Sequence, residues 1–184
     1  MLDSKLRDGR ASGKSAELSR GVDKNWSPKK AGICTFLDCM RSPESKVSLI
    51  EFESKASVLI PLQPAVSNRT YIKEAVSRLF SKDQTALLDA LELAMDEITR
   101  RGNPTHIQAI IVLTDGRENA SSISLFEVES RLARCKGVIL YCIAYGRDAD
   151  QKILNRLANL TGGIVVSGDL PDIEQLYRQL SRHV

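Results

Sequence analysis

The stretch from His106 to Asn119 constrains the fold of this chain more than any other. Its first half, Ile107 to Leu113, is almost wholly apolar and rich in β-branched residues. Such a run is typical of a strand that is covered on both faces, as in a parallel sheet flanked by helices. The run ends abruptly in Thr114, Asp115 and Gly116. A carboxylate at the end of such a strand lies where open α/β sheets bind ligands, although Asp-Gly is also a common turn.

Downstream of this strand, helix and strand patterns alternate. Capping boxes are predicted at Ser124 with Glu127 and at Asp148 with Gln151, each at the start of a helix. The alternation requires right-handed crossovers and therefore predicts an α/β fold with a doubly wound, mostly parallel sheet and helices on both faces. The predicted elements are a helix from Ser124 to about Cys135, a strand over 138–144, a helix after Asp148, a strand over 164–166 and a helix from Asp169.

Upstream of it, the pattern predicts three helices and two strands. Pro28 opens the first helix with Ser27 as its N-cap. Residues 46–52 and 56–62 are two strands joined by a short turn, and the prolines at 61 and 64 make the second an edge strand or end it. Amphipathic helices follow over 70–80 and over 85–100, the latter opening at Thr85.

Composition excludes several classes of protein. Hydrophobic residues at 42% and charged residues at 27% are ordinary globular values. The sequence has no apolar run long enough to span a bilayer, and two histidines are too few for most zinc sites or histidine triads. Four cysteines without a C-x-x-C pair favour free thiols and a cytoplasmic location.

The first 27 residues are predicted to be an irregular basic leader or insertion, followed by one domain over residues 28–184. Residues 1–30 hold eight Lys/Arg against four Asp/Glu, which gives this segment a charge of +4. Because aromatic residues are not interleaved with these cations, we expect a solvated segment and no nucleic-acid binding.

Three segments together resemble the von Willebrand factor type A domain family. Leu113 to Gly116 is similar to its third metal-site motif, and Thr85 within 83–91 is similar to its second. The segment 138–163 is typical of bacterial members. The resemblance covers about residues 28–184. It implies a non-enzymatic adhesion or assembly module that binds a protein partner, with the second strand antiparallel at a sheet edge.

The resemblance also implies a metal-ion-dependent adhesion site (MIDAS) for a divalent cation, usually Mg²⁺, which an acidic side chain of the partner completes. The family's ligands are an Asp-x-Ser-x-Ser motif, a threonine and an aspartate. Thr85 and Asp115 match the last two, and Asp3 is the topological equivalent of the first. Lys5 and Arg7 stand where the family has serines, so we expect metal binding that is weak or absent.

Two alternatives stay open at this stage. The first motif can instead be Asp23, Asn25 and Ser27, an Asp-x-Asn-x-Ser variant. The segment from Gly9 to Ser15 is close to a phosphate-binding loop, but it has three residues between its glycines where the motif needs four. A dinucleotide-binding dehydrogenase is disfavoured, because no G-x-G-x-x-G sequence follows a predicted strand.

Overall fold

A computed structural model describes residues 28–79, 84–145 and 148–167. The order of elements confirms the predicted alternation of strands and helices after residue 106. The elements are α1 (Pro28–Cys39), β1 (Lys46–Phe52), β2 (Ala56–Pro64), α2 (Arg69–Ser77), α3 (Leu87–Arg101), β3 (Gln108–Thr114), α4 (Leu125–Leu132), β4 (Val138–Ala144), α5 (Gln151–Leu160) and β5 (Val165–Ser167).

The strands form a parallel sheet and an antiparallel hairpin. In the sheet the order is β3-β4-β5, and Thr114 at the end of β3 pairs with Ala144 at the end of β4. In the hairpin, β2 runs antiparallel to β1 and within the described ranges pairs with β1 alone, as an edge strand does. The α/β class and the antiparallel strand are therefore confirmed.

Helices cover both faces of the parallel sheet. Side chains that alternate along β3 and β4 point to one face, where they form a core with α3, α4 and α5. This core includes Leu91, Met95, Ile110, Val112, Val128, Leu140, Cys142, Leu154 and Leu157. On the other face, the buried Ile143 packs with Phe36 of α1. Two-sided burial explains why β3 and β4 are continuous apolar runs.

The hairpin has a core of its own and is joined to the rest by α3. Leu37 of α1, Ile60 of β2 and Ile72 of α2 are buried against one another. Helix α3 contacts β1, β2 and β3. Its Glu97 is only 7% exposed, and its carboxylate accepts a hydrogen bond from the backbone N–H of Leu62 at 2.7 Å.

Two predicted helix starts and two predicted helix ends are wrong. Helix α3 begins at Leu87 and not at Thr85, because hydrogen bonds to the loop after β3 hold Thr85 outside the helix. The N-cap of α5 is Asp150, whose side chain accepts from the Ile153 N–H at 3.1 Å, so the box proposed for Asp148 with Gln151 is incorrect.

Helix α4 ends at Leu132 and not near Cys135. The capping box of Ser124 and Glu127 at its start is confirmed. Helix α2 ends at Ser77 and not at residue 80. Ser27 and the helix predicted from Asp169 lie outside the described residues, as does the predicted leader. Within the described ranges, no helix combines the length and the apolar character that crossing a membrane requires.

Candidate functional site

The structure brings the loop after β3 against the residues that precede α3. Asp115 follows the last residue of β3 and is exposed, and Thr85 lies two residues before α3 and is 8% exposed. The Thr85 hydroxyl lies so close to Gly116 that a Cβ atom at this glycine would overlap Thr85 Oγ1. Thr85 and the Asp115 backbone therefore share the carboxyl edge of the sheet, although they are distant in sequence.

A reciprocal pair of hydrogen bonds fixes this arrangement. The Thr85 N–H donates to the side-chain oxygen of Asn119 at 2.9 Å, and the Asn119 N–H donates to the Thr85 carbonyl at 3.2 Å. The Gly116 N–H donates to Thr114 Oγ1 at 3.3 Å, within the buried end of β3. The side chains of Asn119 and Thr114 thus fix the segment beside Asp115 together with the Thr85 backbone.

The same loop caps helix α3. The amide of Leu88 donates to Glu118 Oε2 at 3.1 Å and to Ser121 Oγ at 2.9 Å, and the amide of Asp89 also donates to Ser121 Oγ. The first amides of a helix have no partner within the helix, so these side chains satisfy groups that would otherwise need water. The other oxygen of Glu118 accepts from the amides of Ala120 and Ser121.

Helix α3 also binds the loop, through the side chain of Asp89. The carboxylate of Asp89 accepts from the amides of Ser122 and Ile123 at 3.0 and 3.2 Å. Sequence reasoning missed this network of Glu118, Asn119, Ser121 and Asp89. The available signals were the acid in the first turn of α3 and a polar loop directly after the candidate site, but they do not reveal which groups pair.

The oxygen ligands in the described part suit a hard cation. Magnesium prefers carboxylate and hydroxyl oxygens, which Asp115 and Thr85 supply. Within residues 28–79, 84–145 and 148–167, no group of three or more His, Cys, Asp or Glu side chains could hold a metal ion. Thr85 and Asp115 are the two residues of the predicted ligand set that lie among the described residues. This partial fit is compatible with a weak site.

The remaining site predictions lie outside the described residues. They concern Asp3 with Lys5 and Arg7, the alternative motif of Asp23, Asn25 and Ser27, and the loop from Gly9 to Ser15. Their roles stay predictions, as do the metal-binding roles of Thr85 and Asp115. The comparisons below give no support to nucleotide binding by the Gly9–Ser15 loop.

Sequence comparison identifies the family. A family model for the von Willebrand factor type A domain matches residues 19–179. The calcium-activated chloride channel regulator 3A-1 of Mus musculus is 31% identical over 122 residues, which are 66% of this chain and 13% of the regulator. The chain thus matches a small part of the length of that relative.

Solved structures of low sequence identity share the fold. A von Willebrand factor type A protein from Catenulispora acidiphila has a TM-score of 0.69 at 22% identity, over 84% of this chain and 37% of its own. BatB from Bacteroides thetaiotaomicron has a TM-score of 0.67 at 20% identity, over 84% of this chain and 86% of its own.

A third structure of this fold has a metal. Proximal thread matrix protein 1 from the mussel byssus, with a zinc-occupied MIDAS motif, has a TM-score of 0.66 at 21% identity. It is matched over 83% of this chain and 39% of its own. With the family model covering most of the sequence, this chain belongs to the von Willebrand factor type A domain family, a family of protein-interaction modules.

Proposed function

We propose that this von Willebrand factor type A domain is a non-enzymatic interaction module that binds a partner protein at the carboxyl edge of its parallel sheet. The observation that carries the proposal is the Thr85 hydroxyl packed against Gly116, directly beside the exposed Asp115. Membership of a family whose domains mediate protein–protein interactions supports it. A cytoplasmic location stays part of the proposal, supported by four free cysteines.

A divalent cation, with Mg²⁺ as the first candidate, would bind weakly at this edge. Asp115 would supply a charged oxygen and Thr85 a neutral one, and the positions left open would accept an acidic side chain of the partner. Magnesium gives up its water reluctantly when a protein offers few ligands, so low affinity is expected. The zinc-occupied MIDAS motif of the mussel protein supports a cation at this edge in a domain of the same fold.

Thermal melting of the full chain tests the cation. A ligand that binds only the folded state raises stability by RT ln(1 + [L]/Kd). With Kd near the magnesium concentration, about 10 mM, the gain is about 0.4 kcal/mol, or about 1–2 °C for a domain of this size. We expect a shift of that order relative to EDTA, and its loss in Thr85→Ala and Asp115→Ala.

The matched control is Glu74→Gln, which removes an exposed acid from α2 and should keep the shift. A shift above about 5 °C that both alanine variants abolish would mean a strong site, and the proposed weakness would be wrong. If Asp115→Ala instead unfolds the domain, the residue acts as a structural cap and the site proposal fails.

A further inference from the structure

A groove between α3 and α4 is a second concave surface, separate from the residues of the sheet edge. Its volume is about 260 Å³, and Ile123 and Phe126 form part of its wall. Phe126 is 75% exposed, the largest exposed fraction among the large apolar side chains of the described residues. Pockets for drug-sized ligands span about 300–1,000 Å³, so this groove is better suited to a single side chain of a larger partner. Aromatic residues of this kind are enriched where proteins bind proteins.

The acids that line the groove already have partners within the domain. Glu92 accepts a hydrogen bond from the guanidinium of Arg131. Glu127 accepts from the amide and the hydroxyl of Ser124 at 2.8 and 2.7 Å, which lowers the pKa of its carboxyl. The Arg131 guanidinium balances the charge of Glu92. Ser124 is neutral, so Glu127 stays ionised, but its Oε2 is occupied by the Ser124 amide and hydroxyl.

Arg134, a second arginine that lines the groove, differs from Arg131 in its contacts. Arg134 is exposed, and its Nε donates to the Ser130 carbonyl at 3.1 Å. Within the described part of the chain, the terminal nitrogens of this guanidinium have no carboxylate partner. Phe126, Ser130 and Arg134 are spaced by four residues, so they lie along one side of α4 and the turn that follows. An exposed aromatic ring and a guanidinium whose terminal nitrogens contact no carboxylate of the described residues therefore line the same groove.

We propose that this groove binds an acidic peptide segment of a partner protein, with a large apolar side chain packed on Phe126 and a carboxylate paired with Arg134. Arginine can hold a carboxylate with two parallel hydrogen bonds, which adds geometric selectivity to the apolar contact. The inference needs no metal ion and does not depend on Thr85 or Asp115.

Selection from a phage-displayed random-peptide library on the immobilised full chain tests this inference. EDTA is present throughout, so that a cation-dependent contact at the sheet edge does not contribute. We expect the enriched peptides to share an aromatic or long aliphatic residue within a few positions of Asp or Glu. A synthetic peptide of that consensus is then titrated by fluorescence polarisation.

Phe126→Ser and Arg134→Gln should each weaken this peptide at least about tenfold, the usual effect of losing an interface anchor. The matched controls remove an exposed aromatic ring and an exposed cation elsewhere, Tyr71→Ser and Arg41→Gln, and should bind as the wild type does. Circular dichroism should show unchanged melting for Phe126→Ser, because its ring is mostly in solvent.

Three results would overturn the inference. The first is a selection that enriches no consensus sequence, or that enriches a consensus without acidic residues. Another is a peptide that loses affinity in Asp115→Ala but not in Phe126→Ser, which would assign it to the sheet edge. The third is competition by a synthetic peptide of residues 1–27, which would make a segment of this same chain the occupant.

Discussion

Replacing Glu118 by alanine tests whether the loop beside Asp115 is held by helix α3 and holds it in turn. The carboxylate of Glu118 accepts four hydrogen bonds, from the amides of Leu88, Ala120 and Ser121 and from the Ser121 hydroxyl, at 2.9 to 3.2 Å. Hydrogen bonds to a charged group contribute about 1.5–3 kcal/mol each when their partners are buried.

Full loss of these contributions is not expected. The Leu88 amide keeps its bond to Ser121 Oγ. Glu118 is half-buried, so water can accept hydrogen bonds from some of the donors that lose its carboxylate. Loss of a helix N-cap costs about 1 kcal/mol, and two loop amides that lose their acceptor add about 1–2 kcal/mol. We therefore expect Glu118→Ala to lower the free energy of unfolding by about 2–3 kcal/mol.

Urea unfolding followed by far-ultraviolet circular dichroism measures this change. Glu118→Gln keeps one carbonyl oxygen and should lose about 1 kcal/mol. Glu74→Ala removes an exposed glutamate from α2 and should stay within about 0.5 kcal/mol of the wild type. If Glu118→Ala changes stability no more than Glu74→Ala does, the Glu118 carboxylate does not hold the loop and the reasoning is refuted.

Three further predictions follow from single contacts. Gly116→Ala should lower the melting temperature because its Cβ overlaps Thr85 Oγ1, and adding Thr85→Ala should recover part of the loss; no recovery would mean that the clash is not the cause. Burial raises the pKa of the Cys142 thiol from 9.0 to about 12, so above pH 9 the unfolded thiol ionises while the folded one does not. Stability should then fall by up to about 1.4 kcal/mol per pH unit between pH 9 and 12, and urea unfolding of Cys142→Ala should show a shallower slope; equal slopes would contradict this burial effect. Hydrogen bonds from Ser124 lower the pKa of Glu127 from 4.5, so its stabilisation is present above that pH and lost as the pH falls through the lowered value. Melting of Glu127→Gln against wild type should show a gap at pH 7 that closes in acid, and a gap independent of pH would contradict this.

The sequence was most informative where structure depends on burial. The predicted strand over Val138–Ala144 and the first hairpin strand, Lys46–Phe52, agree with the structure at both ends. For Val138–Ala144 the apolar run itself marks the limits, because this strand is buried on both faces. No residue of Lys46–Phe52 is buried, and the turn signals on either side mark that strand. The capping box of Ser124 and Glu127 was equally readable, because both partners lie within one helical turn.

Local reasoning failed where the deciding partner is distant in the chain. Thr85 is a good N-cap residue, yet its amide binds Asn119, and the first turn of α3 is capped by Glu118 and Ser121 from the loop after β3. No periodicity connects these positions, since they meet only when β3 lies beside α3. The proximity of Thr85 to the end of β3 could be predicted from topology, because a helix that precedes a parallel strand begins at the edge where that strand ends.

Helix α3 also restricts the ways in which a partner can bind this domain. An exposed edge strand invites another chain to add a strand through its free backbone amides. On β2, Pro61 and Pro64 have no N–H to donate, and the N–H of Leu62 between them is taken by Glu97 of α3. This end of β2 therefore offers little to a strand that pairs with it. This agrees with the two binding surfaces proposed above, the carboxyl edge of the parallel sheet and the groove beside α4, where a partner would be recognised through side chains.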